Sequence, residues 1–62
     1  MPYVNIRVAG TLSKEQKEEI CSGVTVVISK AANKPKESIL IFIDEDQHEN
    51  ISSGGKLLQK PK

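Results

Sequence analysis

The 62-residue chain has one cysteine, one histidine, one arginine, one tyrosine, one phenylalanine and no tryptophan. Each scarcity excludes something. A lone Cys21 cannot build an internal disulfide framework, and one cysteine with one histidine is too few for a zinc site made within the chain. Two aromatic rings are poor material for stacking on bases. Nine basic residues against eight acidic ones leave no strong field, so nucleic acid is not the expected partner. No stretch approaches the roughly 20 apolar residues of a membrane span, and the N-terminus lacks the basic and hydrophobic regions of a signal peptide. A free thiol without an export signal predicts a reducing cytoplasm. A chain this short buries only about 60% of the surface its unfolded form exposes. With disulfides and metal set aside, partner subunits are the expected source of stability.

The pattern that is present reads as one domain over residues 1–62. Val4, Ile6 and Val8 alternate with Tyr3, Asn5 and Arg7, the period of a half-buried strand. Ser13 followed by Gln16 matches a capping box, and Glu15, Glu18 and Glu19 suit the positive end of a helix dipole. Ile20, Val24, Val27, Ile28 and Ala31 repeat at three- and four-residue spacing, predicting one buried stripe. Asn33 as a left-handed cap and Pro35 beyond it end a helix over about residues 13–32. Ile39 to Asp44 then reads as a second strand whose apolar run is continuous, as expected when both faces are covered. Gly54 and Gly55 predict a turn into a short strand. The fold class is α/β (α+β): a single β-α-β unit with a parallel strand pair, one long helix and a short C-terminal hairpin or strand. The far face of the second strand has nothing in this chain to cover it, so another copy is expected there.

Pro2 stands directly behind Met1. If Met1 is removed, its ring nitrogen becomes a free secondary amine and can accept a proton near neutral pH. An ordinary α-amino group has a pKa of about 7.7–8.0, and an apolar pocket moves it down by penalising the cation.

The β-α-β pattern, the proline behind Met1, the segment SKEQKEEI, the apolar strand and the Gly54-Gly55 turn resemble the 4-oxalocrotonate tautomerase family across essentially the whole chain. The resemblance implies dimers assembled as a hexamer, a trimer of dimers. It also implies that Pro2 is the general base of a keto–enol tautomerase, in a pocket shared between subunits, acting on a small carboxylate without metal or organic cofactor. The best-known members hold a dicarboxylate with two arginines and line the pocket with an aromatic ring. Aligned without gaps, those positions are Leu12, Leu40 and Ile51 here, so a bidentate carboxylate clamp is lost. The family's dehalogenases, which hydrate haloacrylates, also depend on arginines and rank lower. A catalytically idle oligomer of the same fold is the alternative.

Arg7, the only arginine, is read first as a solvated strand residue or a member of an intersubunit ion pair, and second as a substrate-binding group. Five residues of strand span about 16 Å, so it needs a neighbouring subunit to approach a Pro2. Lys34 and Lys36 read as solvated helix-end charges. Asp44, Glu45, Asp46 and Glu49 read as a polar loop, with His48 exposed beside them. Cys21 is expected to be a small buried group without a base to activate it.

Overall fold

The computed structural model describes residues 1–60; residues 61 and 62, the end of the expected 1–62 domain, lie outside the described residues. Strand β1 (Tyr3–Ala9) alternates as its sequence dictates, with Val4, Ile6 and Val8 half-buried and Tyr3, Asn5, Arg7 and Ala9 exposed. It pairs in parallel with β2 (Leu40–Asp46), in a register that sets Tyr3 against Leu40, Arg7 against Asp44 and Ala9 against Asp46. Between them runs α1 (Lys14–Ala32). Its start is the expected capping box: Ser13 Oγ accepts from the Gln16 amide at 3.1 Å, and Gln16 Oε1 accepts from the Ser13 amide at 2.9 Å. Its end is Asn33, left-handed at φ 54° and ψ 51°, whose amide returns to the Ser29 carbonyl. The C-terminal hairpin pairs β3 (Ser52–Ser53) with β4 (Lys56–Leu57) in antiparallel fashion. Gly54 and Gly55, at φ +61° and +83°, supply the two left-handed residues that a two-residue hairpin turn demands.

Three details differ from the sequence expectation. Strand β2 begins one residue later and runs two residues further than Ile39–Asp44, because a 3-10 turn at Lys36–Ser38 places Ile39 before it. The charged residues Glu45 and Asp46 are strand residues paired with Val8 and Ala9, not a loop. The helical stripe is only partly covered: Ile20, Cys21, Val24 and Ile28 are half-buried, whereas Val27 is 63% exposed and Ala31 is also exposed.

The core is thin. Ile39 is the one buried hydrophobic residue among the described residues, and it keeps 8% exposure. Ile41 and Ile43 are half-buried, while Leu40 and Phe42 on the alternate positions are open to solvent. The radius of gyration is 14.6 Å, with extents of 41 × 24 × 13 Å, where a compact chain of this length has about 11 Å. One helix laid on two strands has one covered sheet face and one bare one. The apolar run of β2 is therefore satisfied on one side only within a single chain.

Candidate functional site at the two ends of the sheet

A parallel pair gives the sheet two chemically distinct ends, and the candidate residues divide between them. At the N-terminal end, the Pro2 carbonyl accepts a hydrogen bond from the Leu40 amide at 3.0 Å. This bond fixes the start of β1 on the start of β2 and holds half-buried Pro2 in place. Tyr3 and Phe42 lie beside it on the open face, their ring centroids 6.4 Å apart. With Met1 attached, the Pro2 nitrogen is an amide and has no basic lone pair.

At the C-terminal end, Arg7 Nε lies 3.1 Å from Asp46 Oδ2, and the Arg7 side chain stays 72% exposed. The sequence alone reads Asp46 as part of a polar loop. Its placement as the last residue of β2, on the outer face with Arg7, is what makes the pair. Asn5 donates to Asp44 at 3.0 Å, and the register sets Asp44 directly opposite Arg7 with Asp46 two residues further along β2. Arg7 and Asp46 share a cavity of about 510 Å³ with Val8, Asn50, Ile51 and Ser52. Ile51 is held there from both sides: its amide donates to the His48 carbonyl and its carbonyl accepts from Leu58. Arg7 and Ile51, two of the expected substrate-binding residues, are thus brought together. Pro2 and Leu40 are brought together at the opposite end.

Leu12 belongs to the loop at the Arg7 end. Its amide donates to Glu45 Oε2 at 2.7 Å, while Lys17 Nζ donates to Glu45 Oε1 at 2.9 Å. The Leu12 amide, first, and the Lys17 ammonium together hold the Glu45 carboxyl below the ordinary glutamate range. Glu45 therefore ties the loop after β1 and the first turn of α1 to the end of β2.

His48, expected to be exposed, is instead half-buried, and its Nδ1 is enclosed without a hydrogen-bond partner among the described residues. Its Cε1 would come within 3.1 Å of a Cβ at Gly10, which sits at φ +98°. The signal that could have found it is Gly10 itself, a residue the chain needs where a side chain packs against bare backbone. Cys21 is half-buried instead of buried. Lys34 and Lys36 are exposed, as read from their place beside Pro35.

Comparison with known proteins follows the same lines. Residues 2–60 match the family described as Tautomerase enzyme. A probable tautomerase of Bacillus cereus is 34% identical over 58 residues, which cover 94% of this chain and 95% of that one. The structure of YwhB, a homologue of 4-oxalocrotonate tautomerase, superposes with a TM-score of 0.87 at 26% identity, covering 98% of this chain and 100% of that one. A structure concerned with trans-3-chloroacrylic acid dehalogenase activity superposes with a TM-score of 0.82 at 31% identity, covering 94% and 100%. Sequence match and shared architecture together make this chain a member of the tautomerase family.

Proposed function

We propose that this protein is a cofactor-independent keto–enol tautomerase whose base is the amine of Pro2 after loss of Met1. The observation that carries this reading is the placement of Pro2. Its ring ties the nitrogen rigidly to Cα, and the Leu40 amide bonds to its carbonyl at the start of a paired strand. A free amine there is pre-positioned, so little ordering is needed when substrate binds. Membership of the tautomerase family, with the match beginning at residue 2, supports the same role.

In the reaction, the lone pair of the Pro2 nitrogen takes the hydroxyl proton of an enol or dienol. The oxygen's electrons form the C=O bond, and the C=C electrons take a proton from the prolinium at carbon. The amine is regenerated and the product is the keto isomer. A base of this kind contributes roughly 10²–10⁴-fold, and it works best when its pKa lies near the ambient pH. Burial of Pro2 beneath a neighbouring subunit supplies that shift by disfavouring the cation. The assembly we propose is a homo-oligomer, a hexamer built as three dimers, acting on a small carboxylate substrate in the cytoplasm.

The test uses protein shown by mass to lack Met1. Ketonisation of 2-hydroxymuconate and of the enol of phenylpyruvate is followed spectrophotometrically for this protein and for Pro2→Ala. Turnover above buffer, reduced about 100-fold or more by Pro2→Ala, is the expected result. Equal rates in the two proteins would remove Pro2 from the mechanism. No rate with either probe would favour the idle oligomer, which the leucines at positions 12 and 40 make a specific alternative.

A further inference from the structure

The two leucines leave the proposed substrate's carboxylate without its expected partner, and the Arg7 cavity supplies one. We propose that Arg7 is the carboxylate-binding residue of this protein, and that the group it selects is a single carboxylate carried by an otherwise apolar enol. This rests on the tautomerase reading of Pro2 and names the substrate class that reading leaves open.

Three observations lead there. Arg7 is the chain's only arginine, and it engages Asp46 through Nε while its side chain stays 72% exposed. A guanidinium has five N–H groups, so a pair made through Nε leaves the terminal nitrogens to grip a carboxylate in their planar fork. The cavity around it places Ile51 and Val8 as apolar walls with Asn50 and Ser52 as polar contacts. That composition suits a small acid with an apolar body, and Ile51 occupies the position at which the family resemblance puts the pocket's aromatic ring.

The charge count fixes the class. One guanidinium already shared with Asp46 can hold one carboxylate. A second carboxylate would find Asp46 and Asp44 nearby and no second arginine. Lys60 lines the adjoining cavity together with Glu45 and Asp46, carboxylates that already offset its charge. A dianion gains nothing from its second charge at this site, in contrast with a pocket built from two arginines.

Geometry supplies the meeting with Pro2. Among the described residues, the β1–β2 pair leaves one free edge on each strand. Two copies paired antiparallel along the β1 edge across a twofold bring the start of one β1 beside the end of the other. A register centred near Ile6 would set Pro2 of one copy against the C-terminal end of the other copy's β1, the end of the strand that carries Arg7. The base and the carboxylate anchor then come from different chains, and each site is incomplete without the second copy.

The experiment separates binding from turnover. Cinnamate, its neutral analogue cinnamamide and the dicarboxylate muconate are titrated calorimetrically into the Met1-free assembly and into Arg7→Ala. Sedimentation checks that the assembly is intact. Cinnamate should bind the unsubstituted protein at least tenfold more tightly than cinnamamide. Arg7→Ala should erase that margin, as loss of a hydrogen bond to a charged group predicts. Arg7→Lys should restore part of it, since it keeps the charge and loses the fork. Muconate should bind no more tightly than cinnamate. Pro2→Ala should bind cinnamate normally while failing to turn over the enols. Cinnamate binding that is absent, or unchanged in Arg7→Ala, overturns the assignment of Arg7 and leaves the Pro2 reading standing. Muconate binding tenfold tighter than cinnamate overturns the substrate class. Normal turnover by Pro2→Ala overturns the tautomerase reading instead. If Arg7→Ala fails to assemble, Arg7→Gln, neutral and of similar length, carries the comparison.

Discussion

Gly10 and His48 show how a single backbone position can depend on a side chain 38 residues away. At φ +98° Gly10 lies where L-residues rarely go, and its amide is committed to the Asp46 carbonyl at 2.7 Å. Gly10→Ala meets two separate penalties, backbone strain and a Cβ 3.1 Å from His48 Cε1. We expect a loss of about 1–3 kcal/mol, read as a lower urea midpoint at fixed protein concentration. Adding His48→Ala should recover the steric part and not the backbone part, so the double variant stays below His48→Ala alone. Full recovery would mean that φ at position 10 carries no strain. The residue scale was only half legible in the sequence. Pro2 stood out because its chemistry changes if it becomes the terminus. Leu40 and Ile51 are singled out only by the family resemblance, since an apolar residue carries no chemistry of its own to mark it. His48 looked exposed because it sits in a polar stretch, yet its burial is decided by Gly10 on another segment, a contact with no local pattern.

At the scale of elements, local signals were dependable where local hydrogen bonds decide the outcome. Ser13, Gln16 and Asn33 predicted both ends of α1, because capping involves only neighbours in sequence. Ser13→Ala should cost about 1 kcal/mol, measured by chemical unfolding. The end of β2 was read wrongly for the opposite reason. Glu45 and Asp46 are poor strand formers, and they are held in register by Lys17, the Leu12 amide and Arg7, all distant in sequence. Glu45 also gives this region a pH signature. Its folded pKa is depressed by the Leu12 amide and by Lys17. Its stabilising contribution is therefore complete above the ordinary glutamate pKa, declines as the pH falls below that value, and is lost below the folded one. Glu45→Gln should be less stable than the parent at pH 7, and the gap should close in acid, where the parent's Glu45 is also neutral. A gap of constant size from pH 7 to pH 3 would mean that the carboxylate charge is not what Lys17 and Leu12 stabilise.

The whole molecule carries the clearest mark of being a part of something larger. Its accessible surface is 5093 Å², against about 4,000 Å² for a compact monomer of the same mass. The excess of about 1,100 Å² is close to what one partner gives up in a substantial interface. Much of the apolar share lies on the open side of the sheet, where Tyr3, Leu40 and Phe42 are 69%, 40% and 52% exposed. The continuous apolar run in β2 predicted covering on both faces, and the run is the legible part. The partner that completes it is invisible to a single-chain pattern, because symmetry contacts leave no spacing of their own. Phe42→Glu distinguishes a true surface from an interface. On an ordinary surface such a change moves stability by about 0.5 kcal/mol at most. Beneath a second subunit it buries an unpaired carboxylate, a cost that disfavours association. The parent's unfolding midpoint should rise with protein concentration, as mass action requires of an assembly that folds and associates together. Phe42→Glu should sediment as a smaller species and unfold at lower denaturant. A parent whose midpoint ignores concentration, paired with a Phe42→Glu protein of unchanged size and stability, would mean that this face is simply solvated. The chain's stability would then have to come from its thin helix-on-sheet core alone.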